Sequence, residues 1–208
     1  MKSCRVFYLF LTLVSASSAQ SISFEFDGSD NAINGNTTLG DTFKSFVDGT
    51  TNPGAFNLSS IVSGLTLTVT ASQGDISNTN NGLGIGSGGT LDSPGDALTF
   101  TFNRAITFDF LDMGDFGPSV GDVVQLSYSN SNPTVTLGVG DFDNNTSDTI
   151  TFSSANLVAA NESFTLSYDG GAFSIEGFNV TVVPEPGIYA VLAGLCGMAF
   201  VMLKSRHA

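Results

Sequence analysis

The chain has 208 residues, with 19 Asp and Glu against 6 Lys and Arg, a formal net charge of −13 at pH 7, one His, two Cys and no Trp. Phosphate backbones are bound by clustered cations, so this balance excludes nucleic acid as a partner and disfavours anionic membrane surfaces. Excess acid favours solubility by like-charge repulsion and is compatible with a divalent cation.

The first segment reads as an address. Lys2 and Arg5 precede an apolar stretch, Val6 to Val14, and small residues follow from Ser15 to Ala19. This order predicts a secretory signal peptide, residues 1–19, cleaved between Ala19 and Gln20. Cys4 lies before the apolar stretch and is not placed for lipidation.

Residues 20–183 are one domain by length, and a chain of this size buries roughly 70% of its unfolded surface. This span holds 18 of the acids and only two cations, Lys44 and Arg104, an excess of sixteen negative charges. Cys4, Cys196 and His207 all fall outside it, which removes disulfides, thiol chemistry and a His base from the domain. A zinc site of the usual kind is excluded on the same ground.

No long stretch of the domain shows helical periodicity. Alternation with period two recurs instead. It appears in Ser21–Asp27, with Ile22, Phe24 and Phe26 on one face, and in Leu65–Thr70. It continues in Leu98–Phe102, Ile106–Phe110, Val123–Tyr128, Thr134–Val139, Thr149–Phe152, Ser163–Tyr168 and Phe173–Val183. Many short strands separated by Gly, Asn, Asp and Ser predict an all-β fold, a single antiparallel β-sandwich of jelly-roll-like arrangement. Arg104, between two strand patterns, is expected to pair with a carboxylate. Asn80-Asn81-Gly82 to Gly95 is glycine-rich and predicts an irregular surface loop. Gly84, Gly86 and Gly89 match the dinucleotide spacing G-x-G-x-x-G, but no helix pattern follows, as that motif demands.

Oxygen-bearing side chains give the remaining candidates. Asp141, Asp143, Asn145 and Asp148 alternate along one loop and suit a Ca²⁺ ion, although the loop lacks the Gly and Glu of an EF-hand. The plain alternative is a turn built from turn-forming residues. Asp109, Asp112 and Asp115 form a second cluster. Glycoside hydrolysis needs two carboxyls about 5–10 Å apart, and Glu25, Glu162 and Glu176 are the glutamates of the domain, each in or beside a strand pattern. Tyr128 and Tyr168 are the domain aromatics able both to stack and to hydrogen-bond. No catalytic residue is assigned, and no cofactor is expected beyond a possible Ca²⁺.

The last segment, residues 184–208, is a second address. Val183-Pro184-Glu185-Pro186 is followed by an uncharged apolar run, Ile188 to Leu203, and then by Lys204, Ser205, Arg206, His207 and Ala208. As a helix the run spans roughly 24 Å, a little less than the hydrocarbon core of about 30 Å. Its basic end, with Lys204 and Arg206 as anchor, predicts a cytoplasmic carboxyl terminus. A buried helix of a soluble domain is the alternative, but such a helix keeps a polar face.

Motif, apolar run, basic end and signal peptide together resemble the PEP-CTERM sorting signal of Gram-negative bacteria. The resemblance covers the signal peptide and the last 26 residues. It implies an exosortase, a membrane protease-transpeptidase, as partner, acting near Pro184-Glu185-Pro186. It implies export through the inner membrane to the outer surface or beyond, in company with exopolysaccharide. A lipid-anchor signal of the GPI kind ends apolar, unlike this one, and an ordinary single-span protein is the other rival. The expected function is non-enzymatic, a structural or adhesive component of an extracellular matrix. The alternatives are a carbohydrate-binding module engaging exopolysaccharide and a carboxylate-based polysaccharide-active enzyme.

Overall fold

The computed structural model describes residues 18–26, 31–114, 116, 121–130, 132–142, 148–184 and 194. In chain order the elements are β1 Gln20–Glu25, β2 Ala32–Ile33, helix α1 Thr37–Val47, β3 Ala55–Asn57, β4 Thr66–Ala71, β5 Ile76–Thr79 and β6 Gly82–Ile85. There follow β7 Ala97–Phe102, β8 Ile106–Gly114, β9 Val123–Tyr128, β10 Val135–Gly138, a 3-10 turn Val139–Asp141, β11 Thr149–Val158, β12 Ser163–Gly170 and β13 Ser174–Val182.

The strands form two antiparallel sheets. One has seven strands, in the order β11-β8-β13-β1-β2, with β6 joined to β13 and β5 to β6; the other has six, in the order β10-β9-β12-β7-β4-β3. The all-β expectation holds. Period-two alternation sets which side chains go inside. Along β7, Leu98, Phe100 and Phe102 are buried while Ala97, Thr99 and Thr101 are partly exposed. Along β1, Ile22 and Phe24 are buried and Glu25 is exposed.

Phenylalanines join the two sheets. Phe178, on β13 of one sheet, is fully buried. Its ring centroid lies 5.1 Å from Phe100 and 5.7 Å from Phe164, both on the other sheet, and 4.6 Å from Phe24 beside it. Phe108 and Phe164 meet across the same gap at 4.4 Å. Edge-on and tilted pairs of this kind add to the transfer free energy of burying the rings. The residues Ala19–Val183 thus form one compact unit, and its core is a β-sandwich interior.

Two local expectations are corrected. The domain does contain a helix: α1 starts at Asn36, whose side-chain oxygen accepts the Leu39 N–H (3.0 Å) as an N-cap. Leu39, Phe43, Phe46 and Val47 recur at i, i+4, i+7 and i+8, a helical face too short to stand out among threonines and glycines. Phe43 stacks on Phe26 at 5.6 Å and meets Phe56 edge-on at 5.2 Å, so the helix closes one end of the core. The glycine-rich region is also not wholly irregular. Its first part is β6, which pairs with β5 from Thr79↔Gly82 to Ile76↔Ile85 and reaches β13 through Ile175↔Leu83. Glycine carries little strand propensity, and tertiary pairing overrides it here. Among the described residues no helix is long and apolar enough to cross a membrane. The apolar run 188–203 lies outside the described residues apart from Gly194.

Candidate functional site

The predicted processing points flank the folded unit. β1 begins at Gln20, and Gln20 pairs with Val182 at the end of β13. The Val183 N–H donates to the Ala105 carbonyl (2.9 Å), the last backbone bond of the unit. Ala19 and Gln20 are exposed. Both ends of the unit therefore leave the sandwich from neighbouring strands at one end of the same sheet. Of the sorting motif, Val183 and Pro184 are described; Glu185, Pro186, Lys204 and Arg206 lie outside the described residues.

A second candidate is a depression of about 520 Å³ on the outer face of the seven-stranded sheet. Register builds it. Ser23 stands opposite Asn179, and Asn179 opposite Phe110; in the next row Glu25 stands opposite Gly177, and Gly177 opposite Asp112. A β-bulge between Ile175 and Gly177 places Glu176 in the same depression. The three strands thus gather Glu25, Asp112 and Glu176, with Ser23 and Asn179, into one acidic, hydrogen-bond-accepting patch. The sequence could not pair these acids, because β1 and β13 are the first and last strands. Glu162 is elsewhere: its carboxylate accepts Asn130 Nδ2 (2.9 Å) and the Ala159 N–H (3.1 Å) in the β11–β12 turn. Asp109 is held by the Thr107 and Thr181 hydroxyls at 2.8 and 2.6 Å, which fix a bulge in β8. Asp115 lies outside the described residues.

The calcium candidates divide. Asp141 accepts the Gly138 N–H (2.9 Å) and closes the 3-10 turn. Asp148 lends its backbone carbonyl to the Met113 N–H (3.0 Å). Burial, and then the neighbouring Asp122 carboxylate, push the Asp148 carboxyl above its ordinary range. Asp122 is itself buried and accepts the Ala172 N–H (3.1 Å). Asp143 and Asn145 lie outside the described residues. Among the described residues no three carboxylate, His or Cys side chains are grouped to hold a metal ion.

Tyr128 and Tyr168 pack against the core rather than on an outer face. The Tyr128 hydroxyl is buried with no hydrogen-bond partner among the described residues, and burial pushes its pKa up to about 12. Lys44 sits in α1 and gives its carbonyl to the Asp48 N–H. Arg104 occupies the β7–β8 turn beside Gly64. The glycine spacing is explained by packing. A Cβ on Gly84 would lie 2.2 Å from the Gly89 carbonyl, and Gly86 turns the chain at φ +70°. No phosphate cradle at a helix start is formed, since residues 91–96 lead directly into β7. No family model, no curated protein and no solved structure matches the chain.

Proposed function

We propose that the chain is an exported, non-enzymatic surface protein, one β-sandwich delivered by a PEP-CTERM-like tail and serving as a structural or adhesive part of an extracellular matrix. In this reading an exosortase-type membrane protease is the processing partner. Residues 188–203 are a membrane helix that pauses in the inner membrane with Lys204 and Arg206 inside. The borders of the folded unit carry the reading: it begins at Ala19 and ends at Val183, so both inferred cuts fall at its two ends. The strand order supports a jelly-roll-like arrangement, because β1 and β13 pair centrally and the chain alternates between sheets from β7 to β9 and from β11 to β13. Mass spectrometry of the protein recovered from the cell surface tests it. An amino terminus at Gln20 and a carboxyl terminus near Pro184 to Pro186 are expected; a full-length chain in the cytosol overturns it.

Carboxylate-based glycan cleavage is the second reading, favoured by Glu25, Asp112 and Glu176 sharing one depression. Reducing-end release from polysaccharides that vanishes in Glu176→Gln would establish it over the first.

A further inference from the structure

Two Asn-Gly steps occur in the chain, Asn34-Gly35 and Asn81-Gly82. An asparagine followed by glycine is chemically labile, because a neighbour without a side chain leaves its backbone nitrogen unhindered for attack on the carboxamide. Both asparagines are exposed. The fold treats them differently.

Asn34 and Gly35 have φ of +56° and +70°, and Ile33 and Asn36 exchange two N–H···O bonds across them (3.3 and 3.0 Å). This is a type I′ turn, whose torsions put the Gly35 nitrogen nearly opposite the Asn34 Cβ about the Cα–C bond. Asn34 is also tied to β1. Its N–H donates to the Ser23 carbonyl (2.9 Å), and its Oδ1 accepts the Ser23 N–H (3.2 Å). Ring closure at Asn34 has to undo these bonds together.

Asn81 stands at the tip of the β5–β6 hairpin, where Asn80 and Asn81 alone join the strands. Its side chain makes no hydrogen bond among the described residues. The glycine after it is demanded by packing: Gly82 has φ +119°, and a Cβ there would stand 2.7 Å from the Ile175 carbonyl oxygen. The peptide unit between the two residues is gripped from β13. The Ser174 hydroxyl, fully buried, donates to the Asn81 carbonyl. A hydrogen bond at that oxygen polarises the peptide unit and makes its own N–H, that of Gly82, more acidic. With the unit held, rotation about the Asn81 Cα–C bond moves the hairpin tip instead, and gives up the bond from the Asn81 N–H to the Thr79 hydroxyl (3.2 Å).

We propose that Asn81 is a site of spontaneous deamidation, selected over Asn34 by the fold and promoted by Ser174. Solvent hydroxide removes the Gly82 amide proton. The Gly82 nitrogen then bonds to the Asn81 Cγ, the Cγ–Nδ2 bond breaks, and ammonia leaves with a proton from water. Water opens the resulting succinimide at either carbonyl, giving aspartate or isoaspartate at position 81. Each conversion adds one negative charge to the hairpin tip, and the iso form adds a backbone carbon there. Ser174 acts through the peptide unit and is a positioning residue.

Peptide mapping of the full chain in a polyoxyethylene detergent tests this. The protein is kept in mildly alkaline buffer, sampled over days and digested with trypsin. Cleavage after Lys44 and Arg104 puts Asn34 and Asn81 in separate peptides, and electron-transfer fragmentation distinguishes aspartate from isoaspartate. Conversion at position 81 is expected about tenfold faster than at position 34, the ratio set by one net hydrogen bond that has to open. In urea the two rates should converge. Ser174→Ala should slow position 81 several-fold, whereas a merely structural role for that hydroxyl would loosen the hairpin and speed it. Equal rates in the folded chain, earlier conversion at position 34, a preference that persists in urea, or a rate in Ser174→Ala at or above that of the unaltered chain overturns the proposal. Should Ser174→Ala not fold, the comparison of folded and urea-treated protein decides alone.

Discussion

Truncating Phe178 to Ala removes the ring on which the two sheets meet. The side chain is fully buried, and its ring lies within 6.1 Å, centroid to centroid, of Phe24, Phe26, Phe100, Phe108 and Phe164. A buried Phe→Ala change loses about 3–5 kcal/mol through transfer and cavity terms. Five neighbouring rings on two sheets cannot all collapse into the space, so the upper half of that range, about 4–5 kcal/mol, is expected. Against a typical stability of about 5–15 kcal/mol this is about a quarter or more of the total, and it lowers Tm by roughly 8–20 °C for a domain of this size. Phe152→Ala is the comparison. Phe152 is half-buried on an edge strand and, among the described residues, meets one ring, Phe108 at 5.2 Å, so about 1–2 kcal/mol is expected. Urea midpoints at unchanged m-value, with thermal scans, measure both. Equal losses for the two variants would refute the assignment of Phe178 as the meeting point of the sheets.

Three other outcomes follow from particular contacts. Gly84→Ala drives a methyl into the Gly89 carbonyl at 2.2 Å and should lose about 3 kcal/mol. Gly86→Ala, with open space but φ +70°, should lose about 1–2 kcal/mol; the reverse order in thermal scans would refute the packing account of the motif. Asp148 has a folded-state pKa raised by burial and by Asp122, so folding favours its protonated form. Its penalty is absent below the ordinary carboxylate range and appears as pH rises through the raised value. Asp148→Asn should therefore stabilise the protein at neutral pH and make no difference in acid, as urea midpoints across pH will show. Tyr128→Phe removes a buried hydroxyl without a partner among the described residues, so thermal unfolding should be unchanged or slightly raised. In an alkaline absorbance titration, the step near 12 should vanish with it.

Fold class was legible because alternation is local. Ile22 and Phe24, Leu98 to Phe102, and Phe164 and Leu166 each announce a buried face within six residues, and these strands lie where the pattern put them. Helix α1 was hidden because four apolar residues over nine positions do not outweigh Thr37, Thr38 and Gly40. Strand β6 was hidden because Gly82 and Gly84 owe their extended form to pairing with Asn78 and its neighbours rather than to their own preference. The acidic depression was not legible at all. It depends on Glu25 and Glu176 becoming neighbours across most of the chain, which only the β1–β13 register brings about.

That register also governs when the domain can become whole. Strand β1 lies between β13 and the two-residue β2, so until the final strand emerges its long flank has nothing to bond. On the export proposed above, the nascent chain crosses a bilayer amino end first and carries this open edge through the passage, since contacts of such long loop closure form slowly. Completion of the sheet is thereby tied to delivery of the final strand, and a chain cut short before Ser174 keeps an adhesive edge instead of a finished molecule.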